Sequence, residues 1–112
     1  PIAIDFLDRD GQMMYINKAF KDFLGISDKD VTGMLVTDIN PTSRFPEVLK
    51  SKQAEIAWRH RFQNGRDAIV HRIPILEDDG ELIGGFGVVL FQNFDELKYV
   101  MEKFKVLDKE LK

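Results

Sequence analysis

The chain has 112 residues, 44% of them hydrophobic and 31% charged, with a formal net charge of −3, which is one domain able to bury about 65% of its unfolded surface. The acidic balance argues against a nucleic-acid surface, which needs clustered Lys and Arg. No apolar run approaches the ~20 residues of a membrane span, and the start, PIAIDFLD, lacks the positive n-region and cleavage site of a signal peptide.

Cys is absent. Disulfides, Cys-ligated metals and thiol nucleophiles are thereby excluded, and a cytoplasmic location is expected. Beginning at Pro1 inside an apparent strand and ending in a charged helix without a stop signal, the sequence reads as a module of a longer protein, the alternative for its start being removal of a Met before Pro1.

Ile2, Ile4 and Phe6 alternate with Ala3, Asp5 and Leu7, which predicts a strand over Ile2–Leu7. Asp10-Gly11 predicts a tight hairpin turn, since both residues tolerate the positive φ of such turns. Met13–Ile16 is the partner strand. Asn17 can cap a helix over Asn17–Leu24, which Gly25 ends in the left-handed conformation. Ser27 predicts a second short helix ending at Gly33. Asn40-Pro41-Thr42-Ser43 breaks the chain, because Pro41 pushes Asn40 out of the helical region. Phe45, Val48 and Leu49 predict a further helix, with Pro46 in its first turn.

Three strands follow. Glu55–Phe62 and Asp67–Leu76 flank an Asn64-Gly65 turn, and Asp79-Gly80 leads into Glu81–Phe91. Asn93 and Glu96 form a capping box for a terminal helix. Within it Leu97, Val100, Phe104, Leu107 and Leu111 are spaced three, four, three and four apart, which is an a/d seam. The structural alternative is a helix that folds back on its own domain. The predicted class is α+β: a five-stranded antiparallel sheet with short helices on one face and a coiled-coil-like C-terminal helix.

Gly84-Gly85-Phe86-Gly87 lies inside a strand, so it marks a bulge or a close approach rather than a phosphate loop. Asp8, Asp10 and Gly11 fail as a calcium loop, since Asn17 stands where a Glu is needed. No nucleophile has a plausible base, and an enzyme is not expected.

The order of elements resembles the PAS domain, a sensory fold, over essentially the whole chain. The text around Asp10–Ala19, Pro41–Val48, Arg72–Ile75 and Gly80–Gly84 is similar to PAS modules of bacterial sigma-54-dependent, enhancer-binding transcriptional regulators. The resemblance implies a sensory domain over 1–92 and a signalling helix over 93–112. It further implies a homodimer, and in the full-length protein an AAA+ ATPase and a DNA-binding domain acting on sigma-54 RNA polymerase. The alternative is a ligand-free dimerisation scaffold in another signalling protein, such as a histidine kinase. Covalent flavin is disfavoured without Cys, and haem without a His in Pro41–Gln53. No cofactor is predicted, and the small-molecule ligand is unassigned.

Pairing across a two-residue Asn64-Gly65 turn would set Phe62 opposite Asp67, His60 opposite Ile69 and Trp58 opposite His71. Ile56, Trp58, His60, Phe62, Ile69, His71, Ile73 and Ile75 then share the helix-facing side, where PAS domains hold ligands. Trp58, His60, His71 and Phe62 are therefore pocket candidates, the alternative being that both histidines are satisfied core or rim residues. Two His without a third ligand are too few for a metal. Arg59, Arg61 and Arg72 fall on the opposite face with Glu55, as solvated ion pairs. A second reading makes Arg44, Arg72 or one of the histidines the anchor for an anionic ligand. A one-residue slip in register would invert the faces and turn Arg72 inward.

Overall fold

The computed structural model describes residues 2–91 and 94–111. Strands β1 (Ala3–Asp8), β2 (Met13–Ile16), β3 (Glu55–Arg61), β4 (Asp67–Leu76) and β5 (Leu82–Phe91) form one antiparallel sheet in the order β2-β1-β5-β4-β3. Helices α1 (Lys18–Leu24), α2 (Val36–Ile39) and α3 (Phe45–Ser51) connect β2 to β3, and α4 (Phe94–Leu111) follows β5. The expected α+β architecture is present.

Local chemistry explains the elements. The Asn17 Oδ1 accepts the Phe20 N–H at 3.1 Å, capping α1, and the Ile4 N–H at 3.0 Å, while its Nδ2 donates to the Ile2 carbonyl at 2.6 Å. One side chain thus starts the helix and pins it to β1. Gly25 closes α1 at φ 76°. Pro46 sits in the first turn of α3, where its missing N–H costs nothing.

The helix expected from Ser27 does not form. Asp30 Oδ1 instead accepts the Thr32 N–H at 3.0 Å, a local bond that competes with helix. The segment then docks on β2, with Met13 N–H donating to the Met34 carbonyl at 2.8 Å and Gly33 N–H to the Met13 carbonyl at 2.7 Å. The helix α2, not expected, begins only at Val36.

All the tight hairpins share one geometry, and it is not the two-residue turn. In Asp8–Gln12, Phe62–Arg66 and Glu77–Glu81 the first N–H donates to the fifth carbonyl, at 2.9, 2.8 and 2.8 Å. The fourth residue is Gly11, Gly65 or Gly80, at φ 83°, 86° and 89°. These are three-residue loops with a left-handed Gly. The extra loop residue in the second hairpin, Gln63, shifts the β3–β4 register by one. Arg61 opposes Asp67, His60 opposes Ala68 and Trp58 opposes Val70. The helix-facing residues of β4 are consequently Ala68, Val70 and Arg72, and the expected inward set of Ile69, His71, Ile73 and Ile75 is corrected to the other face.

The inner face carries two apolar clusters. One gathers Ala3, Phe20, Phe23, Phe62, Ala68, Val70 and Val89; the other gathers Leu7, Met13, Val31, Val36, Phe45, Val48 and Leu49. The glycines of β5 allow α3 to lie close. A Cβ on Gly85 would fall 2.7 Å from Phe45 Cε1, and one on Gly87 would collide with Asp5 and Phe45. The close-approach reading of the glycine run therefore holds.

Helix α4 returns toward β4 and β5. Of the expected seam, Val100 and Phe104 are exposed, Phe104 at 71%. The side chains of Leu97, Leu107 and Leu111, the Asn93–Glu96 capping box and the 92/93 boundary lie outside the described residues. Among the described residues no helix is long and apolar enough to cross a membrane.

Candidate ligand cavity

A small cavity lies between the two apolar clusters, under α1, α2 and α3. Its volume is about 20 Å³, room for roughly one water. Phe20, Phe45, Phe62, Val70 and Val89 line it, with Asp5, Asn40 and Arg72 among the polar groups. Such a mix, a mostly apolar wall with a few polar groups, is what small-molecule sites use for affinity and orientation.

The polar groups arrive there by strand register. Ala3, Asp5 and Leu7 form the inward row of β1, and Asp5 pairs across to Gly87, which pairs to Arg72. Glu55 pairs with Arg72 on β3. In a regular strand Glu55 and His60, five apart, would face opposite ways. A bulge with Ala57 at φ 53° inserts one residue between Glu55 and Trp58 and brings both inside. The His71 Nδ1 accepts the Ala57 N–H at 2.9 Å, satisfying the amide that the bulge takes out of the ladder.

An ion-pair chain results. Arg72 Nη1 donates to Glu55 Oε1 at 3.0 Å and Arg44 Nε to Glu55 Oε2 at 2.8 Å. The Arg44 guanidinium also lies 4.8 Å over the Trp58 ring. Arg72 is only 4% exposed; burial pulls its pKa down, and Glu55 opposes that shift. A buried guanidinium of this kind depends on its carboxylate, because removing either partner leaves the other charged and dry.

Two further groups are shifted strongly. Burial pushes Asp5 up to about 7, with Arg72 and a hydrogen bond from the Gly87 backbone opposing. Its Oδ1 is a buried side-chain atom without a hydrogen-bond partner. Burial lowers His60 to about 4, helped by the Arg72 charge. His60 is therefore neutral at pH 7, with Nε2 3.0 Å from the Thr42 hydroxyl and its ring 4.7 Å from that of Phe62.

The sequence candidates thus separate. Phe62, His60 and Arg72 converge on the inner face, Arg72 by the one-residue slip that inverts β4. Arg44 joins through Glu55. Trp58 shares the side of Val70 but lies at the sheet edge, 41% exposed beneath Arg44. His71 turns to the outer face and serves the bulge. Arg59 and Arg61 do pair with Asp67 at the surface, at 3.4 and 3.0 Å, as the solvated-face reading expected, whereas Glu55 leaves that group for the interior. Sequence reasoning missed Asp5 as a site residue. Its signal was an acidic residue in the row Ala3, Asp5, Leu7, facing a glycine-rich strand. Among the described residues no cluster of His, Asp and Glu could hold a metal.

Comparisons with known proteins agree with this architecture. Over 99 residues the chain is 28% identical to the sensor protein CitS of Halalkalibacterium halodurans, covering 87% of this chain and 18% of CitS. Its fold is similar to that in the phage VqmA–DPO complex, with a TM-score of 0.67 and 18% identity over 96% of this chain and 54% of that one. It is also similar to the E. coli DhaR(N)–DhaL complex, with a TM-score of 0.64 and 18% identity over 80% of this chain and 30% of that one. For the PAS domain of a protein from Colwellia psychrerythraea the TM-score is 0.57 at 18% identity, over 80% and 85% of the two chains. The chain thus spans a minor part of CitS and about half of the VqmA chain. A family model described as PAS domain matches residues 1–94, and the chain belongs to the PAS domain family.

Proposed function

We propose that this chain is the sensing module of a signalling protein. A small molecule occupies the cavity between sheet and helices, and residues 93–112 carry the response onward as a helical lever. Binding shifts such a module between states only by its different affinity for each. The observation that carries the reading is the cavity itself: an apolar wall surrounding the buried Asp5 and Arg72, in a PAS fold. The relative CitS is named a sensor protein, and the VqmA structure is of a complex with DPO. Both support a sensory role here. At about 20 Å³ the cavity favours a small molecule over a bulky prosthetic group such as haem or flavin.

The finer reading is a cytoplasmic, homodimeric module of a sigma-54-dependent regulator, driving an AAA+ ATPase attached to a DNA-binding domain. The motifs at Asp10–Ala19, Pro41–Val48, Arg72–Ile75 and Gly80–Gly84 support it. A second reading, a ligand-free dimerisation scaffold, is favoured by the smallness of the cavity and by the exposed apolar Val100, Met101 and Phe104 on α4. In either reading α4 pairs with a second copy through Val100 and Phe104, and through Leu97, Leu107 and Leu111 of the same seam.

Native and denaturing mass spectrometry of the freshly purified chain tests both parts. The sensor reading predicts a dimer whose native mass exceeds twice the denatured mass by a ligand. A dimer without added mass supports the scaffold. Phe104→Glu sets like charges across a symmetric seam, so it should weaken association at least about tenfold. An unchanged dimer would remove α4 from the interface.

A further inference from the structure

We propose that the cavity selects a small uncharged molecule bearing an N–H group, which it donates to Asp5 Oδ1. This rests on the reading of the cavity as a ligand site.

Asp5 is 4% exposed and lines the cavity; the Gly87 backbone acts on its carboxyl, while Oδ1 is buried without a hydrogen-bond partner. Native proteins rarely leave such an atom orphaned, because its desolvation is then uncompensated. Protonation does not solve the problem, since Oδ1 is then an acceptor or a donor that still lacks a partner. A ligand donor solves it directly.

The surroundings narrow the class. An anion would have to approach the Asp5 carboxylate. A cation would approach the buried guanidinium of Arg72, whose charge already acts on Asp5. The other charged and titratable groups close by are Glu55 and His60 on β3, His71 on β4 and Arg44 before α3. The walls supplied by α1 and α2 are apolar, Phe20 and Leu24 from the first and Val36 and Ile39 from the second. A neutral donor on an apolar body suits both the wall and the carboxylate. At about 20 Å³ as closed here the cavity has room for about one water, so even one small ring enters only as side chains of the lining yield to admit it.

Pyrazole and isoxazole test this, because the two rings have the same size and differ by N–H against O. Each is titrated into the whole labelled chain and followed by NMR at cavity residues, at pH 6 and pH 8. Pyrazole should bind at least about tenfold more tightly than isoxazole. It should also bind about tenfold more tightly at pH 8 than at pH 6, since Asp5 titrates at about 7 and a donor prefers the ionised form. Asp5→Asn should abolish the pH dependence, which assigns it to Asp5. Asp5→Val should lower pyrazole to the level of isoxazole while isoxazole still binds.

Equal binding of the two rings to the unmodified chain would overturn the proposal and leave the cavity reading intact. Binding of isobutyrate in preference, tightening toward pH 6, would overturn it in favour of an acid ligand. Failure of both rings to perturb any cavity residue at their solubility limit would overturn the cavity reading together with this one.

Discussion

At the residue scale the interior sets two titrations against each other. Asp5 has a folded pKa of about 7, raised from 3.8. The folded state therefore holds a proton that the unfolded state releases, and stability falls as pH rises from about 4 through 7. His60 has a folded value of about 4, lowered from 6.5. Its contribution is lost as pH falls from 6.5 toward 4. Between these limits the slopes oppose, so thermal stability should be nearly level from pH 4 to 6.5 and decline from there to pH 8. Asp5→Asn should remove the decline, leave a rise from pH 4 to 6.5, and stabilise the chain at pH 8 by up to about 4 kcal/mol. Melting curves across this range check the claim, and an Asp5→Asn profile parallel to the original would refute it. Asp5 was legible as a polar residue in an alternating strand, but alternation alone does not say which face is buried.

The elements show why the rest was legible only in part. Strand positions, the Asn17 cap and the Gly25 stop follow from local chemistry, and the sequence carries that chemistry within a few residues. The β3–β4 register does not. An Asn-Gly pair suits a two-residue turn, yet Gln63 joins the loop and the left-handed Gly65 becomes its last residue. That single step exchanges His71 for Arg72 on the inner face. The bulge at Ala57 is equally silent in sequence, since Ala is a poor marker for a positive φ, and it is what turns Glu55 inward to meet Arg72. The two aromatic candidates separate for the same reason. Phe62 is 3% exposed and packs edge-on to Phe20 and Phe23, with ring centroids at 6.2 and 4.9 Å, so Phe62→Ala should cost about 3–5 kcal/mol. Trp58, at the edge with a cation over it, should lose only about 1 kcal/mol on Trp58→Ala. Chemical denaturation of the two variants measures the difference, and equal costs would contradict the register.

At the scale of the whole molecule, the sheet is a plate whose inner face carries a divided core, with polar groups placed between the halves. A domain selected only for stability would fill that gap with apolar side chains, since an ion pair in the interior rarely improves on good packing. Here α3 closes over β5 by way of Gly85 and Gly87, and the gap retains Asp5, Arg72 and Asn40. The coil Asn40–Arg44 links this interior to the Arg44–Trp58 contact at the sheet edge. Occupancy of the cavity therefore has a physical route to the surface through Glu55, which bonds both Arg72 and Arg44. On this reading the cavity is a ligand site. Thermal melting of the chain against a broad library of small metabolites tests it most directly, because a ligand bound only by the folded state raises the melting temperature by mass action. At least one small uncharged compound should give a concentration-dependent rise, lost in a cavity-filling Val70→Phe variant that still folds. A library that shifts neither protein, or a rise that Val70→Phe retains in full, would contradict it.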